Sequence, residues 1–194
     1  MLQTPDDLET ARDHVRLPGD RDMWIFVLGD LAFFAVYFII FMVYRHNEPT
    51  LFLTSQRHLN LTTGAINTLV LLASSRFVAV AVQAARRGDH RSAARTLSYG
   101  AVCGTVFIAI KAFEWSAEIH RGFTLPRNDF FMFYYMLTGV HLFHVLLGLG
   151  ILGFAVHELR QESPRAWIVE AAATYWHMVD VVWIVLFTLV YVMR

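Results

Sequence analysis

Apolar residues in this chain gather into five long blocks, at 23–44, 64–85, 97–117, 131–156 and 169–193. Short polar stretches rich in arginine separate them. About 20 helical residues cross a hydrocarbon core of about 30 Å, so each block is long enough to span a bilayer. Within lipid every backbone polar group must be satisfied inside the segment, which makes the blocks helices. A barrel would show alternating segments of about ten residues, and none is present. The pattern therefore predicts an all-α integral membrane bundle of five transmembrane helices, forming one domain over 23–194. Residues 1–22 form a polar tail with six carboxylates and no apolar core of a signal peptide, so the first span is expected to be retained. No internal repeat is evident.

Composition sharpens the class. Of 194 residues 56% are apolar and 16% charged, against about 25% charged in soluble domains. Sixteen basic and 16 acidic residues cancel, leaving no basic footprint for nucleic acid. The single cysteine, Cys103, excludes an internal disulfide framework and any cysteine-based zinc or iron–sulfur site. Arginines decide the orientation. Nine lie in the tail and in the loops after the second and fourth spans, against five on the other side. The richer side faces the cytoplasm, which predicts a cytoplasmic N-terminus and a periplasmic C-terminus.

Polar residues inside the spans are the candidate chemistry, since a charge at mid-bilayer costs about 2.5–3.5 kcal/mol on insertion scales. They are Asp30; Asn67 and Arg76; Lys111 and Glu114, with Glu118 at the span's end; His141 and His144; and His177 and Asp180. At 1.5 Å per residue, Asp30 lies about 10 Å and Arg76 about 13 Å from the cytoplasmic edge, with His144, His177 and Asp180 at about 12–18 Å. These groups share one level, and Asp30 is expected to pair with Arg76. Lys111 and Glu114 sit higher, three residues apart on one face, and are expected to pair with each other. The plain reading is that such residues hydrogen-bond across helices and fix their packing. The sharper reading is proton relay or buffering, with Asp30 and Glu114 as its carboxylates.

A metal reading is weaker. His141 and His144, and His177 and Asp180, each stand at i and i+3. The di-iron bundle pattern, however, requires Glu-x-x-His on two helices, and none occurs. No intrinsic metal is expected. Gly100 and Gly104 form a GxxxG, and Gly148, Gly153 and residues 171–173 offer further small surfaces for close helix approach. Trp24, Tyr44, Trp167 and Tyr191 fit interfacial belts. Trp176, Asp180 and Trp183 share one face of the fifth helix, which reads as a packing face.

Five segments together carry a family resemblance. They are WIFVLGDLAFF (24–34), NTLVLLASS (67–75), AFEW (112–115), TGVHLFHVLLGL (138–149) and YWHMVDVVWIVLFTLVY (175–191). The chain resembles subunit III of the haem–copper oxidases, in the short bacterial form with five spans. Its opening, PGDRDMWIFVLGDLAFF, further resembles the branch associated with nitric oxide reductase operons. The resemblance implies an accessory subunit of a respiratory haem–copper complex, either an oxygen reductase or a nitric oxide reductase. It implies no catalytic residue, haem, copper or other cofactor in this chain. It also implies packing against a subunit I-like catalytic protein, structural phospholipid, and support of proton uptake. Asp30 occupies the position of the family's carboxylate in the first shared helix, where the longer form has Glu. Glu114 matches the carboxylate of the third, and His141, His144, His177 and Asp180 match the fourth and fifth. Arg76 matches no general family position.

Two other classes fit the sequence less well. A stand-alone proton or ion transporter would favour helices broken mid-membrane by Gly or Pro. All five prolines lie outside the spans. A membrane di-iron oxidase would need histidine clusters that this sequence lacks.

Overall fold

The computed structural model describes residues 21–161 and 163–193. The polar tail thus lies outside the described residues as far as position 20. Six helices follow in order: α1 (Arg21–Asn47), α2 (Pro49–Gln56), α3 (Leu61–Arg86), α4 (His90–His120), α5 (Asp129–Glu158) and α6 (Ala166–Phe187). A 3-10 turn (Leu125–Arg127) precedes α5, and a π-helical stretch (Thr188–Val192) continues α6. Five of these helices, all but α2, are long and apolar enough to cross a membrane. No strand occurs among the described residues.

The helices start before their apolar blocks because polar caps lie there. Asn60 accepts from the backbone N–H groups of Thr62 and Thr63, at 3.0 and 3.2 Å, and starts α3. Asp89 accepts from Ser92 N at 3.0 Å and starts α4 seven residues before the apolar block at 97. Asn128 does the same for Phe131 at 3.0 Å and starts α5. Each of these bonds satisfies a donor that the helix leaves without a partner. α3 and α4 stop at glycines in the left-handed region, Gly88 (φ 77°) and Gly122 (φ 82°). There Asp89 N returns to Ala84 O and Phe123 N to Glu118 O, each at 3.0 Å, closing the last turns.

The extra helix α2 was not expected from the apolar pattern. It opens on Pro49, whose fixed φ suits a first helical position. Its Phe52 is buried against Phe41 of α1 and Phe130 of α5, with ring centroids 5.4 and 5.7 Å away. Asn128 Nδ2 donates to Ser55 Oγ at 3.0 Å and holds α2 to the start of α5.

α6 is the centre of the bundle. It packs on α3, α5 and α1, while α4 lies along α3 and α5. Its Trp176 and Trp183 are fully buried, so the expected packing face is found. Close approach is made by small residues. A Cβ on Gly100 would lie 2.9 Å from Val78 Cγ2. One on Gly104 or Gly148 would lie 2.6 or 2.9 Å from the Trp176 ring. Gly153 does not take this part, because nothing lies within 4 Å of its Cβ position. α1 lies against α5 and α6, and most of its apolar surface is exposed.

Candidate functional site

The polar residues of the spans form three separate groups rather than one cluster. The first joins α4, α5 and the π-helical end of α6. Lys111 Nζ donates to Glu114 Oε2 at 3.2 Å, to the Tyr134 hydroxyl at 3.3 Å and to the Tyr191 hydroxyl at 2.6 Å. Both hydroxyls pass their own proton to Glu114 Oε1, Tyr134 at 3.1 Å and Tyr191 by a shorter bond. All three ammonium donors and both carboxylate oxygens are therefore used. The Trp183 ring adds a face 5.2 Å from the ammonium. Lys111, Glu114, Tyr134 and Tyr191 are all buried. The expected Lys111–Glu114 pair is present, and two tyrosines complete it. Tyr191 does not belong to an interfacial belt, because it is fully buried in this group.

The second group lies between α1 and α5. Asp30 Oδ2 stands 3.7 Å from His144 Nε2, while His144 Nδ1 lies 2.8 Å from Val140 O. That geometry is an ion pair when the imidazole is protonated, with too long a gap for a hydrogen bond. Phe34 covers the imidazole at 5.2 Å between ring centroids. Both side chains keep partial exposure, 21% for Asp30 and 13% for His144. The Asp30 Oδ2 atom that faces His144 is itself buried and accepts no hydrogen bond.

The third group joins α3 to α6. Ser75 Oγ lies 2.8 Å from His177 Nδ1, and Asp180 Oδ2 lies 3.7 Å from the same nitrogen. Serine and carboxylate thus meet the same ring nitrogen. A Ser–His–Asp nucleophile needs them on opposite nitrogens. The arrangement is structural rather than hydrolytic. Asp180 is buried, with neither oxygen hydrogen-bonded. His177 keeps 40% exposure.

Arg76 belongs to none of these groups. The expected Asp30–Arg76 pair is not formed, because α1 packs on α5 and α6 and not alongside α3. Asp30 meets His144 instead, and Arg76 points away from the bundle. His141 is likewise separate from His144. It is buried between the Phe107 and Trp183 rings, 5.8 and 5.2 Å between centroids, with both nitrogens unpartnered. Among the described residues no three His, Cys, Asp or Glu side chains are grouped closely enough to hold a metal.

Polar contacts that the sequence did not announce tie these groups into the fold. Gln56 Nε2 donates to Leu189 O and Val190 O, each at 3.0 Å. It thereby satisfies carbonyls of the π-helical stretch. Trp183 Nε1 donates to Thr68 Oγ1 at 3.0 Å. Gln56 and the two tyrosines carried one available signal: a polar atom beside a long apolar run needs a partner inside it.

The comparisons with known proteins agree over the whole described bundle. A family model described as cytochrome c oxidase subunit III matches residues 19–194. The chain is 32% identical to cytochrome c oxidase subunit 3 of a Synechocystis strain, over 87% of this chain and 73% of that one. It is also 32% identical to the protein of that name from Corynebacterium diphtheriae, over 86% and 84%. To the heme-copper oxidase subunit I+III of Aeropyrum pernix it is 27% identical, over 92% of this chain and 23% of that one.

Proposed function

The chain belongs to the cytochrome c oxidase subunit III family, and on that premise we propose that it is an accessory subunit of a respiratory haem–copper complex, with no catalytic centre of its own. It is a multi-pass protein of the bacterial plasma membrane. Its working partner is a subunit I-type protein, which carries the redox chemistry. The observation that carries this reading is the Aeropyrum relative, whose name joins subunits I and III in one polypeptide. A segment like this chain is there tied covalently to a subunit I segment.

Within the complex the chain has two tasks. It stabilises the catalytic subunit in the membrane, and it supports proton uptake through Asp30 on α1. The partial exposure of the Asp30–His144 pair supports the second task, since a carboxylate must be reached to exchange a proton. The arginine bias supports a cytoplasmic N-terminus, on the side from which protons are taken. Phospholipid is held at that end as well. A groove of about 360 Å³ runs between α1, α5 and α6, lined by Met23, Phe26, Phe154 and Trp167, with Arg165 at its rim. Apolar walls suit an acyl chain, and Arg165, paired with Glu158 at 2.7 Å, stands at headgroup level with its guanidinium half-exposed.

The test is to delete the gene, purify the partner complex and follow its activity over many turnovers, with oxygen and with nitric oxide as acceptor. The expected result is a measurable initial rate with one acceptor, together with lower yield, shorter working life or slower proton uptake. An initial rate of zero per haem-loaded partner would place part of the catalytic site in this chain and overturn the reading. Proton flux through the isolated chain in vesicles would favour a transporter instead.

A further inference from the structure

Among the described residues of the five apolar blocks the cations are Arg76 and Lys111, and Arg76 has no internal partner. Lys111 is fully engaged by Glu114, Tyr134 and Tyr191. Arg76 is exposed, and no ion pair or hydrogen bond joins it to any described residue. It stands ten residues before Arg86, the end of α3, or about 15 Å along the helix axis. That sets it inside the span, more than two helical turns from that end.

The direction of Arg76 is fixed by its neighbours. Ser74 faces inward, donating to Gly100 O at 2.7 Å. Ser75 faces α6, 2.8 Å from His177 Nδ1. One further step of about 100° turns Arg76 away from the bundle, at the level of His177. His177 is half-exposed there, and its Nε2 has no partner among the described residues. Around these two groups the surface is apolar, with Leu69 and Leu72 of α3 and Val181 and Ile184 of α6 exposed.

We propose that this face of α3 and α6 docks a transmembrane helix of a partner subunit that presents an Asp or Glu at mid-membrane to Arg76 and His177. The inference rests on the accessory-subunit reading and adds the chemistry of the contact. A guanidinium and a carboxylate are each costly alone in hydrocarbon, and pairing relieves both. Charge complementarity also separates this occupant from a second copy of the chain. The described carboxylates within the spans each have a partner or are buried: Asp30 beside His144, Glu114 with Lys111, Glu118 with Arg121, Glu170 with Arg86, and Asp180 beneath His177. Asp30 alone among them keeps exposure without a hydrogen bond, and it lies on α1 against α5, not on this face, so a symmetric contact of two copies through this face brings no free carboxylate to Arg76.

The experiment uses the complex purified through a tag on this chain, with haem measured per tagged chain. Wild type, Arg76→Leu and Arg76→Lys are compared. Arg76→Leu is expected to lower haem per chain by about tenfold or more, as for a desolvated charge pair broken on one side. The amount of the chain itself in the membrane should stay level or rise, because leucine suits a lipid-facing site. Arg76→Lys should retain most of the partner. A photo-crosslinking residue in place of Leu72, activated in native membranes, should form an adduct with a partner span containing an Asp or Glu. Arg76→Glu should then be rescued by placing Arg at that partner position. Haem per chain at the wild-type level in Arg76→Leu overturns the proposal. Adducts to lipid alone, or to a second copy of this chain, overturn it too. A wild-type chain that brings down no haem sinks the accessory-subunit reading instead, and the crosslink from residue 72 still decides the docking face.

Discussion

Trp176 Nε1 donates to Ser74 Oγ at 3.1 Å, and Ser74 hands its own proton to the Gly100 carbonyl at 2.7 Å. One indole on α6 thereby reaches through α3 to the backbone of α4. The same ring fills the space that Gly104 and Gly148 leave open on α4 and α5. Four helices meet at a single side chain. Without a hydrophobic driving force between helices in lipid, such close packing and interhelical hydrogen bonding hold a membrane bundle together.

Gly104→Ala should therefore be costly. Its new methyl would stand 2.6 Å from a ring carbon that four helices hold in place. Overpacking of this kind costs about 1–3 kcal/mol. Ser74→Ala, which leaves the indole N–H unpaired, should cost about 0.6–2 kcal/mol. Gly150→Ala is the control, because nothing lies within 4 Å of its Cβ position. Thermal unfolding in detergent should rank the three, with Gly150→Ala close to wild type.

Glu114→Gln should destabilise the chain more than its small change of shape suggests. It leaves the buried Lys111 ammonium without a counter-charge, and breaking one side of such a pair costs about 3–5 kcal/mol. The double variant Lys111→Met with Glu114→Gln removes the stranded charge and should recover much of the loss. A double-mutant cycle on unfolding in detergent measures the coupling. Additive losses would mean that the two groups act independently.

Much of this architecture was legible in the sequence, for physical reasons. A bilayer sets a minimum apolar length, so five spans follow from five long blocks. Helical spacing also gave the Lys111–Glu114 pair, which depends on one helix alone. The partners of Asp30 and Arg76 depend on which helices are neighbours, and equal depth does not supply that. α1 and α3 are consecutive spans, yet α2 and its aromatic contacts carry the chain across to the α5 edge. Tyr191 was misread for a related reason. A tyrosine near a span's end usually sits at the interface, but here a buried ion pair about six helical turns into α4 draws it inward.

Gln56 gives a prediction on local stability. Its amide serves two carbonyls of the π-helical stretch, whose wide turns leave them open. Gln56→Leu should strand both, at about 1–3 kcal/mol for each buried acceptor left alone. The effect should be local. Amide exchange should speed up over residues 188–193 and stay unchanged in α3 around Ser74. Exchange rising equally throughout the bundle would show that α2 holds the whole fold and not its C-terminal end.

The last prediction separates proton exchange from packing on α1. Asp30 and His144 stand 3.7 Å apart, too far for a hydrogen bond, so an amide of the same shape at position 30 breaks none between them. Asp30→Asn keeps the shape and removes the only carboxylate of the α1 span. In the purified complex, reconstituted in vesicles, it should slow proton uptake during turnover and leave complex yield and unfolding temperature near wild type. His144→Gln should give a smaller effect in the same direction, because the carboxylate remains and only its partner changes. Asp30→Glu restores a titratable group with one more methylene of reach and should restore uptake. If Asp30→Asn lowers yield or unfolding temperature while uptake per intact complex is unchanged, Asp30 is a packing residue and proton support lies elsewhere in the chain.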